Sequence, residues 1–292
     1  MGEGTFQAGQ FEVDIEEVEY LRHGEKVLLA RVFKPRGKGP FPAVVEMHGG
    51  AWCAGDRNNN DAINRPVASG GVVIAALDFR APPDAIYPGS VADTNYGVRW
   101  LKANAARFNT RPEWVGAMGT SSGGHLAVLS GMKPNDARYV AIPGIGEVAK
   151  FDARIAFGVS LWPVICPQGR YRYAKQRQSE GNPIKVRSDQ IKSQDRYWIT
   201  EEAMGEGSPV KALQRGDKVE TPDILYLQNP IDDLHPMENL QQFVEGYRNA
   251  GGKLQLELFE GAAYDLVRTA PDSAEAKRMV RKIVEFIHQH AR

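Results

Sequence analysis

The chain of 292 residues balances 36 basic against 36 acidic side chains, so its charge makes no case for nucleic acid or an anionic membrane as a partner. Its 42% hydrophobic and 25% charged residues are ordinary for a soluble globular protein, and no apolar run approaches the ~18 residues that span a bilayer. Two cysteines, Cys53 and Cys166, make no disulfide framework, and the N-terminal stretch lacks the basic-then-apolar order of a secretory signal. The expectation is a cytoplasmic protein with reduced thiols.

The first third alternates strand and helix signals. Val27 to Phe33 and Phe41 to Met47 are short apolar runs rich in β-branched residues, with Pro and Gly between them. Val72 to Leu77 is apolar throughout, the signature of a strand buried on both faces of a parallel sheet. A helix is expected over Ser90 to Phe108, opened by Ser90-x-x-Asp93 as a capping box with Asp in place of Glu. Trp114 to Met118 is the next strand. Ala153 to Trp162 is another, ending at Pro163.

From about 164 to 207 the chain turns polar, basic and aromatic, and we read it as a lid inserted over the edge of a sheet. The pattern then resumes. A strand is expected at Ile224 to Leu227, a helix from Pro236 to Ala250 and a strand from Leu254 to Phe259. The last helix is expected to open on Asp272-x-x-Glu275 and to bury Met279, Val280, Ile283, Val284 and Ile287. Repeated strand–helix alternation predicts an α/β fold with a mostly parallel central sheet, helices on both faces, and one domain over 1–292. Ligands on such sheets bind beyond the carboxyl ends of the strands.

Three motifs fall just after predicted strands. His48-Gly49-Gly50-Ala51-Trp52 follows the second run, Gly119-Thr120-Ser121-Ser122-Gly123 fits the G-x-S-x-G elbow, and Asp232 follows the strand at 224. With them go Gly55-Asp56-Arg57, Asp78-Phe79-Arg80, Tyr87-Pro88 and Ser208-Pro209. In this order the motifs resemble the α/β-hydrolase superfamily, close to its hormone-sensitive-lipase-like esterases and kynurenine-formamidase-like members.

The resemblance implies an α/β-hydrolase fold acting on a small ester or amide, with no cofactor and no metal. It makes Ser121 the nucleophile, the backbone N–H groups of Gly50, Ala51 and Ser122 the oxyanion donors, and Asp232 the acid, with Asp233 its competitor. The family's histidine follows the last strand, yet here that segment reads Glu260-Gly261-Ala262-Ala263-Tyr264-Asp265-Leu266. Tyr264 therefore stands where the base belongs, and a phenol with a pKa of about 10 is a poor base. His235, three residues after Asp232 on the same loop, is the other candidate base, although the family does not deliver its base from there.

An elbow without a base leaves three readings open. One is a hydrolase with an atypical triad. Another is a lyase or decarboxylase that uses Ser121, Tyr264 and the oxyanion donors. The third is a ligand-binding pseudo-esterase, as plant gibberellin receptors of this group are. Trp52, Arg170, Tyr171 and Tyr173 are the expected substrate contacts, suited to a carboxylated or aromatic small molecule. Monomer and homodimer both stay open.

Overall fold

A computed structural model describes residues 9–181, 185–259 and 266–291. Its centre is an eight-stranded sheet in the order β1-β2-β4-β3-β5-β6-β7-β8. The strands are β1 (Val13–His23), β2 (Lys26–Pro35), β3 (Ala43–Met47), β4 (Val73–Leu77), β5 (Val115–Thr120), β6 (Phe157–Leu161), β7 (Asp223–Gln228) and β8 (Leu254–Leu258). The β1–β2 and β2–β4 pairs are antiparallel, and every later pairing is parallel.

The expected mostly parallel sheet is thus present, with one strand more than the apolar runs announce. β1 went unread because its alternation breaks midway. A register shift between Glu19 and Leu21 buries Tyr20 and Leu21 in succession, which removes the period-2 signal.

Helices cover both faces. On one lie α2 (Gly89–Ala103), α3 (Ser122–Met132) and α8 (Met237–Asn249); on the other lie α1 (Asp61–Ser69) and α10 (Ala274–His290). Alternate residues of β7 show the division: Ile224 and Tyr226 pack toward α8, Leu225 and Leu227 toward α10. β3, β4, β5 and β6 are buried at every position, as all-apolar runs require.

Two helix starts differ from expectation. α2 begins one residue early behind Pro88, because Asp93 is held by the Arg80 guanidinium (2.8 Å) and Ser90 bonds the Tyr197 hydroxyl instead of capping. α10 is capped by Ser273, whose hydroxyl accepts from Ala276 N (3.2 Å), rather than by Asp272.

Between β6 and β7 the chain forms α4 (Pro167–Ser179), α5 (Lys185–Trp198), α6 (Glu201–Glu206) and α7 (Pro209–Gln214). The end of α5 is fastened by aromatic packing. Tyr197 stacks on Trp52 (5.3 Å between centroids), Trp198 stacks on Tyr87 (4.6 Å), and all four rings except Tyr87 are almost fully buried. Among the described residues no helix is long and apolar enough to cross a membrane.

Candidate active site

The elbow is a feature of the backbone. Ser121 follows β5 at φ 51°, ψ −117°, a left-handed conformation that a non-glycine residue holds only when its surroundings fix it. Here Ser121 N donates to Leu161 O (2.9 Å) at the end of β6, and Ser121 O accepts from Val164 N (3.0 Å) and His125 N (3.1 Å). The flanking glycines follow from close approach. A Cβ on Gly123 would stand 2.0 Å from Met47 O, and one on Gly119 would stand 2.4 Å from Gly123 O. Helix α3 starts at Ser122 and so presents its N-terminal N–H groups beside the Ser121 side chain.

The HGGAW loop is equally constrained. Gly50 has φ 120°, Ala51 and Trp52 follow at φ 51° and 60°, and Gly50 O accepts from both Cys53 N (3.0 Å) and Ala54 N (3.1 Å). His48 stacks on Phe79 at 4.3 Å, and its Nδ1 lies 2.6 Å from Gly49 O. Burial lowers its pKa, so the ring is neutral and Nδ1–H donates to that carbonyl. Arg57 bonds Asp78 (3.0 Å), tying the far end of the loop to β4.

Beneath the loop lies a buried carboxyl. Glu46 of β3 accepts from Asn60 Nδ2 (2.7 Å) and Asn64 Nδ2 (3.1 Å), and Asn60 Nδ2 also reaches Thr120 Oγ1 (3.0 Å), next to the nucleophile. Burial raises the Glu46 pKa to about 7, against which the two amide bonds pull.

The third component is the loop after β7. Asn229 Oδ1 accepts from Ile231 N (2.9 Å), and Asp232 Oδ1 accepts from Leu234 N (2.7 Å) and His235 N (3.3 Å), so side chains close the turn. Gln228 Nε2 donates to His235 O (2.9 Å) and fixes the loop from below. The second Asp232 oxygen lies 2.6 Å from His235 Nδ1, and His235 Nε2 lies 3.1 Å from Ser121 Oγ.

Both residues are nearly buried. Burial pushes the Asp232 carboxyl upward, but His235 and the two turn N–H groups outweigh it and hold the pKa below the ordinary carboxylate range. An ionised Asp232 can only accept, so Nδ1 carries the proton and Nε2 offers its lone pair to the Ser121 hydroxyl.

A cavity of about 310 Å³ opens over this relay, lined by Gly50, Ala51, Ser121, His235, Arg170 and Arg268 among others. Two wider surface hollows of about 740 and 750 Å³ are more open and contain neither Ser121 nor His235. The cavity of about 310 Å³ is the one that holds Ser121.

The BD-FAE family model matches residues 32–157. Esterase LipC of Mycobacterium tuberculosis is 26% identical over 255 residues, 86% of this chain and 59% of LipC. The carboxylesterase NlhH of the same organism is 29% identical over 127 residues, 43% of this chain and 40% of NlhH. This chain therefore spans less than two thirds of either relative's length.

Among solved structures, the hyperthermophilic esterase from Pyrobaculum calidifontis superposes with a TM-score of 0.75 at 20% identity, covering 94% of this chain and 85% of that one. Native esterase 2 of Thermogutta terrifontis gives 0.70 at 22% identity, covering 96% and 92%. The chain has the α/β-hydrolase fold.

The fold brings Ser121, Asp232, His235, Gly50, Ala51 and Arg170 together at one site. Tyr264 lies outside the described residues. Of the two candidate bases, His235 is the one found beside Ser121, with Nε2 3.1 Å from Oγ. The signal for it was the Asn- and Asp-rich turn before Pro236, which puts a side chain three residues after Asp232 back over that carboxylate.

Three substrate contacts expected from sequence fall elsewhere. Trp52 is fully buried and donates from Nε1 to His125 Nδ1 (3.2 Å), so it supports the loop from behind. The Tyr171 hydroxyl donates to Asp195 (2.6 Å), and neither Tyr171 nor Tyr173 lines the cavity. Only one face of α4 turns inward, and of its residues Arg170 lines the cavity. Asn60 and Thr120, which also line the cavity, were not anticipated as site residues.

Proposed function

We propose that this α/β-hydrolase cleaves a small carboxylic ester with Ser121 as nucleophile, His235 as base and Asp232 as the group that orients the base. The supporting observation is the continuous relay: Asp232 to His235 Nδ1 at 2.6 Å and His235 Nε2 to Ser121 Oγ at 3.1 Å, beside a cavity of about 310 Å³.

Ser121 Oγ attacks the ester carbonyl as its proton passes to His235 Nε2. The imidazolium that forms is stabilised by the buried Asp232 carboxylate. The carbonyl oxygen, now an oxyanion, takes the N–H groups of Gly50, Ala51 and Ser122, the last supported by the dipole of α3. Collapse expels the alcohol, which His235 protonates. Water, deprotonated by His235, then attacks the acyl-Ser121 ester and releases the acid. Helices α4 and α5 act as a lid that narrows the cavity and supplies Arg170.

The lyase and binding-only readings rested on an elbow without a base, and His235 in reach of Ser121 favours hydrolysis over both. The test is hydrolysis of p-nitrophenyl acetate and butyrate. The protein should turn both over, and Ser121→Ala should lower kcat by about 10⁴-fold or more. Turnover that survives Ser121→Ala within tenfold would refute the assignment.

A further inference from the structure

Arg170 is a charge without a complete set of partners at the wall of the cavity. It projects from α4, is 2% exposed, and is gripped from two sides. Its Nε donates to Gln194 Oε1 (3.0 Å), and Gln194, itself fully buried, is locked by its amide bond to Pro167 O (2.9 Å). The guanidinium carbon sits 5.3 Å over the Trp52 ring, which fixes the plane of the group. Nη2, however, is buried and has no hydrogen-bond partner.

Burial brings the Arg170 pKa down to about 9, with the charge of Asp232 pulling the other way, so the group is cationic at neutral pH. A buried, unpaired cation is expensive to keep, and fixed donors of this kind are usually completed by an anion. The Arg268 side chain also lines the cavity. At about 310 Å³ the cavity is at the small end of ligand sites.

We infer that Arg170 is a carboxylate-recognition residue, and that the substrate is a small ester carrying a free carboxylate group. A planar guanidinium offers a fork that matches a carboxylate and gains little from a neutral ester. The inference rests on the hydrolase reading above. It leaves two sources for the anion, the acyl half or the alcohol half of the ester, and the assay separates them.

The acyl arm compares p-nitrophenyl hydrogen glutarate with p-nitrophenyl butyrate. The alcohol arm compares 4-acetoxybenzoate with phenyl acetate. One arm should favour the acid by about 10- to 100-fold in kcat/KM, the range of a charge-assisted pair, and Arg170→Met should collapse that ratio toward one through KM. Arg170→Lys, which keeps the charge and loses the fork, should restore part of it.

Ratios near one in both arms of the wild-type protein, or a preference that Arg170→Met leaves intact, would overturn the inference. If no ester is turned over, the hydrolase reading fails by itself. Calorimetry on Ser121→Ala then decides the subsite: monomethyl glutarate should bind at least about tenfold tighter than dimethyl glutarate. Equal affinity would end the proposal.

Discussion

The oxyanion loop and elbow, on one side of the cavity, are held by backbone geometry; the loop from Asn229 to Pro236, on the other, is held by side chains. On the first side Gly50, Gly119 and Gly123 permit approaches that any Cβ would block, and Ala51, Trp52 and Ser121 sit at positive φ. On the second, Asn229 and Asp232 carboxamide and carboxylate oxygens close the turn, and one remaining carboxylate oxygen aims the imidazole. Backbone constraint leaves a glycine signature at fixed spacing. Side-chain constraint leaves only a D-x-x-H pair in a polar turn, which resembles many solvated loops.

The comparison can be broken from either side, and the largest effect is expected in the side-chain half. Asp232→Asn removes the acceptor that selects the Nδ1–H tautomer while keeping size and turn bonds. It should lower kcat by about 10⁴-fold with little change in melting temperature, read from ester hydrolysis and thermal unfolding. In the backbone half the order reverses. Gly123→Ala drives a methyl group against Met47 O, which only a backbone shift relieves, and should cost about 3 kcal/mol or more of stability in urea titration.

Glu46 sharpens the contrast, because it is a titrating side chain beneath the backbone-held loop. Its pKa is about 7 in the fold against 4.5 ordinarily, so the folded protein holds the proton more tightly than the unfolded chain. The stabilisation from protonation is complete below about pH 4.5 and is lost as pH rises through 7. Relative to Glu46→Gln, the wild-type protein should lose on the order of 3 kcal/mol across that window, measured by urea unfolding at pH 4.5, 6 and 7.5. Parallel stability profiles would remove Glu46 as a titrating element. The smallest effect belongs to Tyr264→Phe: with His235 as base, kcat/KM for p-nitrophenyl acetate should stay within about twofold.

Much of the fold was legible because strands buried on both faces are apolar throughout, as in Val73–Leu77, and because α10 keeps a clean stripe over Met279, Ile283 and Ile287. β1 escaped because a bulge inverts its phase at Tyr20. The cap expected at Ser90 failed because tertiary bonds to Tyr197 and Arg80 claim both members of the box. In the site, Ser121 and the loop at 48–52 were readable from glycine spacing. Trp52 was misassigned because an aromatic in a glycine-rich loop reads alike whether it faces the cavity or supports it. The pairing of His235 with Ser121 joins residues 114 apart in the chain, and only the parallel placement of β5, β6 and β7 brings their ends together.

The claim that the base arrives on the acid's own loop is tested most directly by the rate at which a fluorophosphonate probe labels Ser121. Labelling of the wild-type protein should be fast, and His235→Gln should slow it by about 10³-fold or more while the protein stays folded. Labelling of His235→Gln at the wild-type rate would show that another group activates Ser121, and would contradict the account.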